Sequence, residues 1–477
     1  MKKEPKIVIN IILGLFSAFL LKGVHLIIAP IITRMLSQSE YGYVVNYQLW
    51  FSLLSVFVGL QIGGSIQNAL LEYKDERTRA RYYSNAMMVG LFTSLFFCLI
   101  FALFNNSLSS VLDISPTLLY VLVLQMFGWY CIGFLSAKFV AEKKPLKNFI
   151  FVVFVIWPSA LLSILFIVFA KDDPHFYYLF GNALPIIVAG IIVFLYFVIK
   201  GRTFYNKKLL IFALAFSLPL IVHVLSNILL VTIDRIMLRH MGGFEIVAIY
   251  SAAFALSQLL TVIWGAINSA YVPFYYEYLE KKETDKLVFS AKHIIFFVTI
   301  VCMGFMLTAP EVFKILFPEE YWSGIVLIPL FAADNFLRLL YTFSVNYEFY
   351  HKKTVWIAVG TLLAASVNIA LNLALIPLYG MTGAAISSVV SFAMLFVFHE
   401  IISRKVIKAF PLSIKTYIFP IFSTALFVAL CYLLQEFAII RWLIASALCV
   451  VLVIKAIKTK NVVFAKKVHL ESNRTPE

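Results

Sequence analysis

A chain of 477 residues, 62% hydrophobic and only 13% charged, with a mean hydropathy of +0.94, cannot fold as a water-soluble domain, since soluble domains are about 45–50% apolar and about 25% charged. At about 20 apolar residues for each crossing of a hydrocarbon layer about 30 Å thick, the length accommodates about 14 membrane helices joined by short loops. A large soluble domain, a membrane-anchored enzyme and an outer-membrane barrel, whose strands alternate over about ten residues, are excluded.

Apolar stretches broken at charges and at Pro or Gly clusters predict an all-α polytopic membrane protein with fourteen spans. They cover residues 8–32, 45–70, 83–104, 116–137, 147–170, 176–199, 209–233, 244–271, 291–316, 322–345, 354–377, 381–403, 415–434 and 438–456. The first opens on Lys2, Lys3 and Lys6, yet it is too long for a signal-peptide core and no small-residue cleavage site follows, so it reads as a retained helix. Pro30, Pro158, Pro185, Pro219 and Pro329 lie in or at the ends of spans, where they serve as bending points or reflect the ordinary abundance of Pro in membrane helices.

Short cytoplasmic loops gather Lys and Arg. With the N-terminus inside, the outer loops hold six of the 39 basic residues: Arg34, Lys171, Arg235, Arg239, Lys314 and Arg441. Lys22 and Arg338 lie within spans, and all the others fall in the inner segments. The alternation predicts a multi-pass membrane protein with an even number of spans and both termini cytoplasmic. The net charge of +15 is then a sign of topology, with membrane lipid headgroups as natural contacts and no nucleic-acid partner.

The five cysteines all lie inside spans without metal-like spacing, so neither a disulfide nor a metal site is expected. The sequence has no Walker motif, no His-x-x-x-His pair, no Gly-x-Ser-x-Gly and no dinucleotide fingerprint. No enzyme and no cofactor is predicted, which leaves a transporter, a channel or a scaffold.

A basic hinge, Lys200, Arg202, Lys207 and Lys208, divides the chain. Thr33-Arg34-Met35-Leu36 through Glu40-Tyr41-Gly42-Tyr43 is loosely echoed by Asp234-Arg235-Ile236-Met237-Leu238 through Glu245 to Tyr250. The division expected is a six-helix lobe over residues 1–200, a second over 201–408 in parallel repeat, two extra helices over 409–456 and a basic cytoplasmic tail over 457–477. Paired bundles about an axis normal to the membrane are a recurrent transporter plan.

Those segments, with Asn368-Ile369-Ala370-Leu371-Asn372 leading into Ile376-Pro377-Leu378-Tyr379-Gly380-Met381-Thr382-Gly383-Ala384-Ala385, make the whole chain resemble the polysaccharide transporter family. That family includes the Wzx-type flippases of O-antigen and capsule repeat units and shares a superfamily with lipid II flippases and multidrug and toxin extrusion proteins. The resemblance implies alternating access of two six-helix lobes around a central cavity, with undecaprenyl-diphosphate-linked sugars turned from the cytoplasmic to the outer leaflet.

Ionisable groups at membrane depth cost about 2.5–3.5 kcal/mol each on insertion scales, so they are functional candidates by default. Lys22 stands about 21 Å along the first span, too deep for easy snorkelling, with His25 three residues on along the same face. Asp334 and Arg338 stand four apart near mid-membrane, beside Asn335. They either neutralise one another or line a wet cavity. His223 and Asn227 also stand four apart, with Asp234 and Arg235 closing the span. Asn368, Asn372 and Gln61 serve either as glue between helices or as part of the site.

Lys22 and Arg338 against Asp334 leave a positive balance suited to a diphosphate, for which Arg offers two-pronged hydrogen bonding. The expected substrate-binding set is Lys22, His25, Arg338, Asn335 and Gln61. The expected coupling or gating set is Asp234, Arg235, Asp334, His223, Asn227, Asn368 and Asn372. Both serve a flippase of lipid-linked oligosaccharides, with the last two spans as a groove for the prenyl tail. Drive comes from a proton or sodium gradient or from consumption of product by a partner such as a polymerase, with glycosyltransferases supplying the substrate. A multidrug exporter of the same superfamily and a non-transporting scaffold of a glycan assembly complex are the alternatives. Replacing Lys22 or Arg338 with Ala is expected to reduce surface polysaccharide in a strain lacking the native gene; full export by both variants at normal protein levels would refute a cationic site.

Overall fold

The computed structural model describes residues 27–472, and every regular element among them is helical. Helix α1 (Gln38–Leu54) starts where Ser37 and Glu40 exchange hydrogen bonds in a capping box. After a 59° bend the chain continues through a 3₁₀ segment (Val58–Ser65) into α2 (Ile66–Glu72). The bend is made by three consecutive left-handed residues, Gly59, Leu60 and Gln61, with φ of 69°, 49° and 57°. It is seated on Tyr130, whose ring occupies the space that a Cβ on Gly59 or Gly90 would need, while the Gly59 N–H donates to Thr93 Oγ1 at 2.9 Å.

Helices α3 (Glu76–Leu103), α4 (Asn105–Leu112), α5 (Pro116–Ala141), α6 (Pro145–Phe169) and α7 (Pro174–Gly201) complete the first half. The second comprises α8 (Lys207–Gly242), α9 (Phe244–Glu280), α10 (Thr284–Leu316), a 3₁₀ turn (Glu319–Leu327) running into α11 (Ile328–Tyr350), and α12 (Thr354–Ile401), which ends in a π turn (Ile402–Ile407). Helices α13 (Lys415–Leu433) and α14 (Ala438–Ser472) follow and lie against α10. Pro158, Pro185 and Pro219 fall inside helices, whereas Pro329 opens α11, where its missing N–H costs nothing.

Three turns are built alike. The passages from α5 to α6, α9 to α10 and α11 to α12 each pivot on a left-handed lysine, Lys143, Lys282 or Lys352. In each, the next residue's N–H closes on a carbonyl five residues back at 2.9 Å: Lys144 to Phe139, Glu283 to Tyr278 and Lys353 to Glu348. This closure satisfies carbonyls left open at a helix end.

Eleven helices are long and apolar enough to cross a membrane, or twelve with the bent pair that joins α1 to α2. That count does not account for all fourteen expected spans. Residues 8–26 of the first span, and with them Lys22 and His25, lie outside the described residues. The spans expected at 354–377 and 381–403 merge into α12, which breaks at Gly380 (φ 55°, ψ −132°). A Cβ on Gly383 would stand 2.2 Å from the Leu375 carbonyl oxygen, although a straight helix separates such residues by about 12 Å. The chain therefore doubles back at Gly380, and two legs of α12 run side by side.

Three large apolar cores, with smaller clusters beside them, organise the packing. One is shared by both halves at the ends carrying the turns that the charge pattern assigns outside, and it includes Tyr41, Val44, Leu118, Val247, Phe313 and Tyr321. At the opposite ends each half has its own core, built around Tyr82, Met87 and Phe134 in the first and Tyr275, Phe336 and Phe343 in the second. Helix α8 ties them together. Its Leu209 and Ala213 belong to the first core, while Leu230 packs with Leu337, Ala364 and Phe392 of the second half.

At the shared end the segment from Arg34 to Tyr43 forms the junction. Arg34 donates to the carbonyls of Ile315 at 2.8 Å and of Leu316, where the end of α10 leaves acceptors open and its dipole favours a cation. Gln38 Nε2 reaches the Glu320 carbonyl at 2.5 Å, Tyr41 meets Tyr321 edge-on, and Arg239 pairs with Asp113 at 3.0 Å. Gly42 lies directly on α9, its hypothetical Cβ 2.0 Å from the Phe244 carbonyl oxygen. Gly42→Val is expected to cost about 1–3 kcal/mol by overpacking, read as a lower melting temperature in detergent. Gly304→Ala, whose new Cβ would meet nothing within 4 Å, should instead raise stability by about 0.5–1 kcal/mol, because glycine inside a helix costs that much relative to alanine.

Candidate functional site

The expected end of the seventh span at residue 233 put Asp234 and Arg235 at its margin, and the charge pattern counted Arg235 with the outer loops. Helix α8 instead continues to Gly242, which sets both residues two turns inside it. Asp234 is 3% exposed and finds its partners on two other elements. Its Oδ1 accepts from Asn372 Nδ2 at 2.7 Å, and its Oδ2 accepts from Tyr250 OH at 3.0 Å and from Ser388 Oγ. Asn372 Nδ2 also donates to Asn368 Oδ1, one turn earlier, at 3.1 Å.

The hairpin at Gly380 is what brings Asn372 on one leg and Ser388 on the other to the same carboxylate. Asn372 Oδ1 and Asn368 Nδ2 remain buried without hydrogen-bond partners. Asp234, Tyr250, Asn368, Asn372 and Ser388 thus assemble oxygen donors of the kind that hold hard cations. No group of three or more His, Cys, Asp or Glu side chains fit for a metal ion occurs among the described residues.

Next to this cluster stand two guanidinium groups. Arg338 donates through Nε at 3.1 Å and Nη2 at 3.0 Å to Asp334 Oδ2, and its plane lies 3.9 Å from the centroid of Phe392. Asp334 is 1% exposed, and its Oδ1 has no partner. Arg235 lies 4.5 Å from the centroid of Phe254 and donates to the Val231 carbonyl at 2.9 Å. Its Nε is unpartnered, and it forms no ion pair among the described residues. Arg235 lies within electrostatic reach of Asp234, Tyr250, Tyr41 and Arg338.

The other expected residues divide. Asn335 adjoins the site, donating to the Phe331 carbonyl at 2.8 Å and accepting from Thr261 at 2.5 Å, which links α11 to α9. His223 is half-buried and Asn227 exposed, and neither hydrogen-bonds to the Asp234 cluster. Gln61 sits in the left-handed bend of the first half and donates to the Val56 carbonyl at 3.2 Å, apart from the rest.

A second ionic group escaped the sequence reading. His399 and Glu348, both fully buried, meet at 2.8 Å. Glu400 accepts from Arg404 Nε at 2.8 Å and Nη2 at 2.6 Å, and from Ser344 Oγ at 2.5 Å. The readable signal was the four-residue spacing of Glu400 and Arg404, which pairs charges on a helix. Glu348 was lost because its span was ended at residue 345. Arg441, assigned to an outer loop, is likewise buried and paired with Glu311.

Removing one member of a buried ion pair strands the other, at about 3–5 kcal/mol. Arg338→Gln is therefore expected to destabilise the protein by that amount, and the double variant Asp334→Asn with Arg338→Gln by less than the sum of the two single changes. Thermal unfolding of the three variants in detergent measures the coupling.

The profile of the family described as polysaccharide biosynthesis protein matches residues 7–279. The Lsg locus putative protein 1 of Haemophilus influenzae is 23% identical over 377 residues, covering 74% of this chain and 87% of its own. An uncharacterised membrane protein of Methanocaldococcus jannaschii is 22% identical over 437 residues, covering 83% and 84%. Among solved structures, the lipid II flippase MurJ in an inward closed conformation superposes with a TM-score of 0.66 at 13% identity, over 96% of this chain and 98% of that one. An inward-facing multidrug resistance MATE family transporter of the MOP superfamily does so with a TM-score of 0.66 at 14% identity, over 84% and 99%. The fold is the one shared by these MOP-superfamily structures, and with more than half of its length matched by the profile, the chain belongs to the polysaccharide biosynthesis protein family.

Proposed function

We propose that the protein turns an undecaprenyl-diphosphate-linked oligosaccharide from the cytoplasmic to the outer leaflet of the cytoplasmic membrane for surface polysaccharide assembly. The observation that carries this reading is the pair of guanidinium groups, Arg235 and Arg338, each laid on an aromatic ring inside an apolar bundle. A planar guanidinium matches phosphate oxygens with two parallel hydrogen bonds. Arg235 meets an incoming diphosphate without an ion pair to break, while Arg338 exchanges Asp334 for it. No bond is made or broken in the substrate.

The shared core at one end and the separate cores at the other favour rocking of two halves about the Arg34–Tyr43 junction, with α8 as the connecting element. The Asp234 oxygen cluster, on the same helix as Arg235, is the proposed seat of a coupling proton or sodium ion. Helices α13 and α14, outside the paired halves, offer a surface for the prenyl tail. Glycosyltransferases supply the substrate and a polymerase consumes it.

Losing one charge-assisted contact worth about 1.5–3 kcal/mol should lower export about 10- to 100-fold. In a strain lacking the native gene, Arg235→Ala at normal protein level is expected to cut surface polysaccharide by that factor, and Asp234→Asn to abolish any dependence of transport on an imposed ion gradient. Undiminished export by Arg235→Ala, or dye efflux without polysaccharide export by the unaltered protein, would overturn the assignment.

A further inference from the structure

Away from this site, at the basic ends of α3, α5 and α7, the first half forms a half-open cavity of about 460 Å³. Four cations line it, Arg79, Lys138, Lys144 and Lys200, against two carboxylates, Glu76 and Glu142. Glu142 is held by both Lys138 at 2.8 Å and Lys144 at 2.6 Å. Burial opposes its ionisation, but the hydrogen bonds and charge of the two lysines outweigh it and hold its carboxyl below the usual range. Glu76 meets Lys200 at 3.2 Å, and Arg79 forms no ion pair among the described residues. The positive charge is thus only partly compensated from within.

Two tyrosines complete the wall. Tyr83 lines the cavity at 6% exposure, and its hydroxyl is buried without a hydrogen-bond partner. The Lys138 ammonium lies 5.8 Å from its ring centroid. Tyr196 stands under Lys200 at 6.0 Å. Beside Lys200 in sequence, Ile199, Phe204 and Tyr205 are exposed, as is Leu71 near Glu76, so the cavity borders apolar surface at the level where the spans end. A buried hydroxyl normally finds a partner, and basic pockets between membrane helices at an interface bind phosphate headgroups.

We infer that this cavity binds the phosphate group of an anionic lipid, with Arg79 and Lys200 as the charge partners, the Tyr83 hydroxyl as a hydrogen-bond donor and the flanking apolar side chains against the acyl or prenyl chain. Phosphatidylglycerol and a polyprenyl diphosphate present the same chemistry. In the second case the cavity is a waiting site ahead of the central one.

Native mass spectrometry of the full chain in detergent separates the sources, using phosphatidylglycerol, phosphatidylcholine, undecaprenyl diphosphate and inorganic pyrophosphate as probes. Binding of phosphatidylglycerol or undecaprenyl diphosphate at least 10-fold tighter than phosphatidylcholine is expected, and the tighter of the two names the occupant. The double variant Arg79→Gln with Lys200→Gln should lose that preference. Glu142→Gln, which frees two lysines, should strengthen binding about 3-fold or more. Tyr83→Phe removes no intramolecular hydrogen bond, so it should weaken binding several-fold while leaving the melting temperature unchanged. Lipid binding that none of these substitutions alters, or tight binding of pyrophosphate alone, would overturn the proposal. Because none of the four residues belongs to the Asp234 and Arg338 site, the outcome is independent of the transport assays on Arg235.

Discussion

A carboxylate inside an apolar bundle must take its hydrogen bonds from the protein, because neither lipid nor an apolar core supplies any. Asp234 draws on α9 and on both legs of α12. Those bonds require the legs to run in contact, which in turn requires the reversal at Gly380 and the absence of a side chain at Gly383. One acidic group therefore fixes the mutual placement of α8, which presents Arg235, and of α9 and α12, which carry the rings beside Arg235 and Arg338. A charge change at Asp234 would be felt by every element that holds it.

Irregular backbone marks the places where the two halves are organised. Left-handed Gly59, Leu60 and Gln61 bend the first half around Tyr130, and non-glycine residues in that region are uncommon, so the bend is held by its surroundings. The junction at the other end is regular but tight, with Gly42 against the Phe244 backbone and Arg34 on the end of α10. A close contact between main chains at one end and separate cores at the other is the mechanical arrangement expected of two bodies that pivot.

The same residue types serve three different purposes in this chain. Most lysines and arginines lie in turns, where they obey the rule of membrane insertion. A second group, Arg338, Arg404 and Arg441, is neutralised by a carboxylate beside it. Arg235, inside α8, belongs to neither, and it and Arg79, in the first turn of α3, are held without an ion pair among the described residues. Cations without a carboxylate partner are what a phosphate-bearing ligand needs, and the two are found in different halves of the protein.

Hydropathy and loop charge were enough to establish a polytopic helical protein, most of its spans and an expected orientation, because a hydrocarbon layer imposes a minimum helix length and insertion imposes a charge bias whatever the packing. The Asp334 and Arg338 pair was readable too, since four-residue spacing puts two side chains on one face of any helix. The convergence of Asp234, Tyr250, Asn372 and Ser388 was not, for it depends on contacts across up to 154 residues of sequence that only the hairpin at Gly380 creates. Arg235 was misplaced because hydropathy falls at a charge whether or not the helix goes on, and here α8 goes on to Gly242. Glu348 and His399 stand 51 residues apart and become partners only when α11 and α12 pack. Local physics thus determined how many charges the membrane would admit and roughly where, while tertiary packing decided which of them are paired and which are left to bind something else.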